Sequence, residues 1–318
     1  MAGASGLAGS SVVRAILATS PTSVVQAGFR SRSGCFLEHD RLTYVQGDLR
    51  NPDDCARLVK GCDAAVLTAA NSGGAQQAAS EPWHQVTDNV VMDSNLMQAL
   101  HFADVRRVVY VSSATVYPEF EGYIREDQLD WNQDPQAAYF GVGWAKRYVE
   151  KLCRFWHEKT GMHILIARSS NIFGPFAKFD PRTANFIPAL IHKAVDKMEP
   201  FEVWGDPQVT RDVIYSDDFG AAIVAMLNAT EEVVFDTFNV GSGRRTTVGE
   251  VVDLVLRHSG HRPSQVVWRQ DGPTTIAFRA LDCSKIRDVI GWTPAVSVDE
   301  GIRRTVRWWE ANAGTWVR

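Results

Sequence analysis

Gly3-Ala4-Ser5-Gly6-Leu7-Ala8-Gly9 stands at the start of the chain, and a helix-compatible run over residues 10–18 follows it without a break. Glycine at every third position permits a tight turn and lets backbone approach a pyrophosphate closely. The helix that follows offers unpaired N–H groups and a partial positive charge. A strand-like run at 23–29 comes next. Turn, helix and strand together read as the opening of a dinucleotide-binding parallel sheet, with Gly3, Ser5, Gly6, Leu7 and Gly9 around the phosphates. Such a turn follows a strand of roughly five or six residues at the sheet's centre, yet only Met1 and Ala2 precede it here. Losing that strand leaves ladder groups unpaired on two neighbours, a cost comparable with a domain's stability of roughly 5–15 kcal/mol. The expectation is a sheet whose first strand is missing, from a natural polypeptide that begins several residues upstream.

Working outward, strands are expected at 23–29, 42–46, 64–68, 107–112 and 163–167. They alternate with helices near 10–18, 52–59, 82–102 and 143–159. In the last of these, Trp144, Tyr148, Leu152 and Trp156 recur every four residues and form an apolar face for core or subunit packing. Beyond Asn171 the pattern changes. Short strands at 201–204, 235–240 and 265–268 mix with helices at 186–195, 248–259 and 298–312. This reads as an α/β protein with a Rossmann-like, doubly wound parallel sheet over 1–170 plus about 207–228. A smaller C-terminal α/β substrate lobe comprises 171–206 and 229–318.

Composition narrows the function classes. Apolar residues make up 45%, charged residues 22%, and the net charge is −4, which points to neither nucleic acid nor membrane as partner. No apolar run approaches the roughly 18–20 residues of a membrane span, and the first residues lack the pattern of a signal peptide. The five cysteines are odd in number and never in C-x-x-C spacing, and the eight histidines form no H-x-x-x-H pair. No metal site and a reduced, cytoplasmic setting are therefore expected. After the strand at 23–29, NAD-binding sheets place Asp or Glu on the ribose hydroxyls. This chain has Arg30-Ser31-Arg32-Ser33 instead. Arg30 and Arg32 suit a 2′-phosphate, so NADP(H) is favoured, with NAD(H) the alternative.

Several further segments, taken in order, resemble the extended short-chain dehydrogenase/reductase family of sugar-nucleotide epimerases, dehydratases and 4-ketoreductases. Gly47-Asp48-Leu49 resembles its adenine-side segment and Leu67-Thr68-Ala69-Ala70 its fourth-strand end. Asn89-Val90, followed by Asn95-Leu96, resembles the helix behind the nicotinamide. Ser112-Ser113-Ala114-Thr115-Val116-Tyr117 resembles the stretch whose serine is catalytic, which falls on Ser113. Arg168-Ser169-Ser170-Asn171, Asn185-Phe186-Ile187-Pro188 and Arg211-Asp212-Val213 resemble later family segments. The resemblance implies cofactor contacts at Asp48, Leu49, Thr68, Ala69, Ala70, Asn89, Lys146 and Ser169. It implies substrate contacts at Ser113, Asn171, Asn185 and Arg211. Within the family the chain is most similar to the GDP-fucose synthase and UDP-glucose 4-epimerase branches, the former through Gly174-Pro175-Phe176-Ala177-Lys178-Phe179-Asp180-Pro181 and Val203-Trp204-Gly205. The Cys and His that epimerise in the fucose synthase branch fall on Thr115 and Asn185, neither of which exchanges protons near neutral pH.

The family's working dyad is Tyr-x-x-x-Lys, one helical turn apart. The lysine's charge favours the phenolate, which moves the substrate's hydroxyl proton while hydride moves at the nicotinamide. Lys146 takes the lysine's place, but Val142 stands where the tyrosine belongs. Valine moves no proton. Three readings stay open. Tyr139, about 10 Å away along a regular helix, folds back because Gly141 and Gly143 delay the helix. Alternatively, Thr115, Tyr117 or a water relays the proton, or the acid–base chemistry is lost. The resemblance implies reduction of a nucleotide-linked 4-keto-6-deoxy sugar, with Tyr139 as acid. The alternatives are a nucleotide-sugar 4-epimerase with tightly bound NAD, and a catalytically weakened dinucleotide-binding sensor or scaffold. A homodimer through a four-helix bundle of helices 82–102 and 143–159 is also implied.

Overall fold

The computed structural model describes residues 1–31, 34–72, 82–180, 183–269 and 280–316. Six strands build the large sheet: β1 (Val25–Phe29), β2 (Leu42–Gln46), β3 (Ala64–Leu67), β4 (Arg107–Ser113), β5 (His163–Ser169) and β6 (Phe235–Val240). Every pairing among them is parallel, in the order β6-β5-β4-β3 and, separately, β2-β1. Strand interiors such as Val108-Val109-Tyr110 and Ile164-Leu165-Ile166-Ala167 are buried on both faces, as expected for a sheet covered on both sides.

The two blocks are joined by the residues that open the chain. Ala2 bridges Gly28 of β1 and Leu67 of β3, both in parallel sense. Its N–H donates to Val66 O at 2.9 Å, and its carbonyl accepts from Thr68 N at 3.2 Å. Met1 O accepts from Gly28 N at 2.8 Å, and Ala4 N donates to Gly28 O at 3.0 Å. The expected first strand is thus represented by a short bridge at the sheet's centre, which sets the glycine turn at the strands' carboxyl ends.

The helices are α1 (Leu7–Thr19), α2 (Pro52–Val59), α3 (Thr87–Phe102), α4 (Phe140–Thr160), α5 (Phe186–Val195), α6 (Ser216–Leu227), α7 (Val248–Ser259), α8 (Ser284–Ile290) and α9 (Val298–Asn312). Local chemistry explains their ends. Asn51 accepts from Asp53 N ahead of Pro52, Thr247 and Glu250 form a capping box, and Gly161 closes α4 at φ 72°. One face of the sheet is covered by α1 and α6, through Val12, Val13, Phe219 and Ile223. The other is covered by α2, α3 and α4, through Leu58, Leu96, Leu100, Val149 and Cys153. A second core joins α5, α7 and α9, where Phe179 stacks on Trp309 at 4.1 Å and 8°. No described helix is long and apolar enough to cross a membrane.

Two local expectations change. Strand β6, grouped by sequence with the smaller lobe, lies at the edge of the large sheet and pairs with β5. Its alternation did not reveal that partner. Helix α4 starts at Phe140, ahead of Gly141 and Gly143, so those glycines do not delay it. On the aromatic face of α4, Leu152 and Trp156 pack against the core, whereas Tyr148 is 51% exposed.

Candidate active site

The glycine turn is shaped by close backbone approach. Gly3 sits at φ +78°, and a Cβ there would lie 2.7 Å from Ala69 Cα, while one at Gly9 would lie 2.0 Å from Gly3 O. Any side chain would push the turn off β3. Helix α1 starts directly after Gly6 and carries no acidic residue in its first turn, which leaves its first N–H groups and dipole for an anion. From here a cleft of about 1380 Å³ runs along the carboxyl ends of the strands to the smaller lobe.

Of the residues expected to hold a cofactor, Gly3, Ser5, Gly6, Leu7, Gly9, Arg30, Leu49, Thr68, Ala69, Ala70, Asn89, Lys146 and Ser169 line this cleft. Arg30 is exposed at the end of β1; Arg32 lies outside the described residues. Asn89 is buried and clasps the exit of β3, accepting from Asn71 N at 2.7 Å and donating to Gln85 O at 2.8 Å. Asp48 is absent from the lining. Its carboxylate pairs with Arg50 at 2.6 Å, and the Arg50 guanidinium holds it down at about 2. Arg50 itself lines the cleft, and sequence reading missed it. The donor set of helix N-terminus, Arg30, Arg50 and Lys146 fits a dinucleotide's phosphates and ribose.

On the α4 side, Lys146 and Val142 both line the cleft. Lys146 is buried rather than solvated. Its ammonium donates to Tyr110 Oη at 2.9 Å and to Val111 O at 3.0 Å, so one of its three N–H groups remains for a ligand. Tyr110 Oη donates in turn to Asp93 Oδ2 at 3.0 Å, and Asp93 lies 3.9 Å from the ammonium. Ser113 lines the cleft, and its Oγ also caps the short turn Ala114–Val116 by accepting from Thr115 N at 3.2 Å. A core network holds this wall in register. Arg168 pairs with Glu150 at 2.8 Å, and Ser112 Oγ donates to Glu150 at 2.6 Å.

The candidate proton donors fall elsewhere. Tyr139 is the residue before α4 and ends a 3-10 turn. It lies within electrostatic reach of Arg211, whose pKa burial lowers and Tyr139 raises. Neither Tyr139 nor Thr115 is among the residues lining the cleft. Tyr117 is wholly buried, donates to Asn239 Oδ1 at 2.7 Å and accepts from Arg168 at 3.0 Å. Burial pushes its phenol well up, so it belongs to the core.

Toward the smaller lobe, Asn171 and Asn185 line the cleft. Asn185 precedes α5 without capping it through its side chain. Arg211 does not reach the lining and donates to Thr210 O at 2.8 Å. Sequence reading missed this end's aromatic wall of Phe179, Trp309 and Trp316, beside His192. Lys178, quoted in the sequence only for its family likeness, spans to Ser72 O at 2.5 Å. Trp309 lies on α9 and Trp316 beyond its end, and the wall forms where Trp309 stacks on Phe179 and Trp316 meets Phe176.

Comparison with known proteins agrees with this geometry. The chain is 28% identical to GDP-mannose 3,5-epimerase of Arabidopsis thaliana, over 82% of this chain and 68% of that one. It is 27% identical to a probable GDP-L-fucose synthase of Oryza sativa subsp. japonica, over 98% and 92%. The structure of a dTDP-glucose 4,6-dehydratase double mutant from Streptomyces venezuelae, with NAD and DAU bound, superposes with a TM-score of 0.85 at 27% identity, covering 99% and 97%. Residues 1–241, from the glycine turn through Ser113 and Lys146 to the edge strand, match one family throughout: the chain belongs to the NAD dependent epimerase/dehydratase family.

Proposed function

We propose that the chain is an NADP(H)-linked reductase that acts on the C4 ketone of a nucleotide-linked 4-keto-6-deoxy sugar. The observation that carries this reading is Val142 on the cleft wall next to Lys146. Oxidising an alcohol begins with removal of a hydroxyl proton, and Val142 supplies no base for it. Reducing a ketone ends with protonation of an alkoxide, a strong base that takes its proton from any neighbouring donor or from water. An epimerase or dehydratase must oxidise C4 and then complete a second redox step in the same cycle, so it meets the missing proton carrier more than once, whereas a simple reductase meets it only once.

In this scheme the bound nicotinamide supplies the hydride. The glycine turn and the start of α1 hold the pyrophosphate, Arg30 meets the 2′-phosphate, and Lys146 donates its remaining N–H to the nicotinamide ribose. Ser113 hydrogen-bonds the ketone oxygen and stabilises the charge that develops there. Asn171 and Asn185 hold the sugar and diphosphate, and the aromatic wall near Trp316 takes the base. In this account water, rather than Tyr139, delivers the proton, because Tyr139 is not among the residues lining the cleft. Exposed Phe102, Tyr148 and Phe155 on α3 and α4 support pairing of two copies through these helices. The free cysteines suit a reducing, cytoplasmic setting.

The test is turnover of nucleotide-linked 4-keto-6-deoxy sugars with NADPH deuterated at C4 of the nicotinamide. Deuterium arriving at sugar C4, one per NADPH consumed, is the expected result. Interconversion of C4 epimers without added reductant would replace this reading with an epimerase. Binding without any turnover would replace it with a sensor.

A further inference from the structure

Lys146 has a buried partner set that neither the motif nor the proposed reaction requires. Its ammonium donates to Tyr110 Oη at 2.9 Å, Tyr110 donates to Asp93 Oδ2 at 3.0 Å, and the ammonium and carboxylate are 3.9 Å apart. Asp93 and Tyr110 are 2% and 0% exposed. The lysine also sits over the Tyr110 ring, 4.7 Å from its centroid. Gln85, Asn89, Val142 and Lys146 line both the cleft and a narrow crevice that reaches Asp93. The carboxylate therefore lies just behind the position where a dyad tyrosine would stand.

We infer that Asp93, acting through Tyr110, is the positioning residue for Lys146: it takes the anionic-partner place of the missing phenolate and keeps a charged lysine aimed at the cofactor ribose. The inference rests on the dinucleotide reading of the cleft and deepens it. A buried carboxylate on a helix's core face costs stability unless something requires it. Burial indeed pushes the Asp93 carboxyl upward, opposed by the Lys146 charge and the Tyr110 hydrogen bond. The titratable groups around it are Lys146 and Cys153 from α4 and Tyr110 from β4, with Glu150 acting on the latter two. Asp93 is too enclosed to carry protons to solvent. It holds charge in place.

The experiment is NADPH titration of the full-length chain for wild type, Asp93→Asn, Asp93→Glu, Tyr110→Phe, Lys146→Met and the Asp93→Asn/Lys146→Met double variant. Asp93→Asn is expected to weaken binding about tenfold when Lys146 is present and hardly at all in the Lys146→Met background. Asp93→Glu should recover most of that loss, and Tyr110→Phe should show a smaller one. A folded Asp93→Asn protein with unchanged affinity would overturn the inference. So would an equal loss in both backgrounds, which marks a merely structural role. Thermal melting of Asp93→Asn, Lys146→Met and the double variant decides the pairing independently of any cofactor. The double variant should melt above both single ones, and additive losses would refute the pairing. If wild type binds neither NADPH nor NADH, the dinucleotide reading falls, and this melting cycle alone judges whether Asp93 holds Lys146.

Discussion

At the glycine-turn end of the cleft the chemistry rests on backbone, whereas at the α4 wall it rests on side chains. Gly3 and Gly9 are confined by contacts at 2.7 Å and 2.0 Å that exclude any Cβ, and the anion site is the start of a helix. Nothing there depends on a titrating group. Across the cleft, Lys146, Ser113 and Val142 line the wall, and the buried Asp93 and Tyr110 stand beside the lysine. The backbone-built end leaves no room for a Cβ at Gly3 or Gly9, while the opposite wall is set by side-chain contacts. In the proposed reading Gly9 and Val142 bear on different steps, so a variant at Gly9 should change cofactor affinity and one at Val142 should change turnover.

The largest expected effect is a gain. Val142→Tyr places a phenol beside Lys146 and should raise kcat/KM by about 10²–10⁴, by the same factor for alcohol oxidation and ketone reduction, with NADPH affinity little changed. Steady-state rates in both directions check this, and unchanged rates would mean that proton transfer does not limit the α4 wall. On the opposite wall, Gly9→Ala places a methyl group where Gly3 O lies and should lower NADPH affinity about 100-fold by displacing the turn. Wild-type affinity in that variant would separate the turn from binding.

Smaller effects grade the cofactor end. Arg30→Ala should weaken NADPH about tenfold and leave NADH unaffected, since a charge-assisted contact to the 2′-phosphate contributes roughly 1.4 kcal/mol or more. Equal losses for both nucleotides would remove Arg30 from specificity. Asp48 gives the weakest signal, through pH. Its carboxyl is lowered from 3.8 to about 2 by Arg50, so its stabilising contribution is present above the unfolded value and disappears as pH falls through about 2. The melting-point difference between wild type and Asp48→Asn should therefore shrink between pH 4 and pH 2, and remain small throughout because the pair is partly exposed. A constant difference would show that Arg50 does not hold Asp48.

What was legible in the sequence was local. The glycine turn, the Ser113 segment, Lys146 and the strand periods each lie within one element, where spacing fixes geometry. What was not legible joins distant residues. Lys146, Tyr110 and Asp93 come from two helices and a strand, and the one local hint is an acidic residue on the otherwise apolar stripe of Met92, Leu96 and Leu100 in α3. The partner of strand β6 was hidden for the same reason, since alternation marks a strand without naming its neighbour. The start of α4 was misjudged because glycine's low helix propensity was weighed without its packing. Gly143 is held where a Cβ would meet Pro135 and Thr115 O at 2.5 and 2.6 Å, and that contact overrides propensity.

Calorimetric titration of the unmodified chain with NADPH and with NADH tests the central claim most directly. Saturable binding of NADPH with a dissociation constant of about micromolar order, or about 8 kcal/mol, is the predicted result. The absence of heat from either nucleotide would contradict the account.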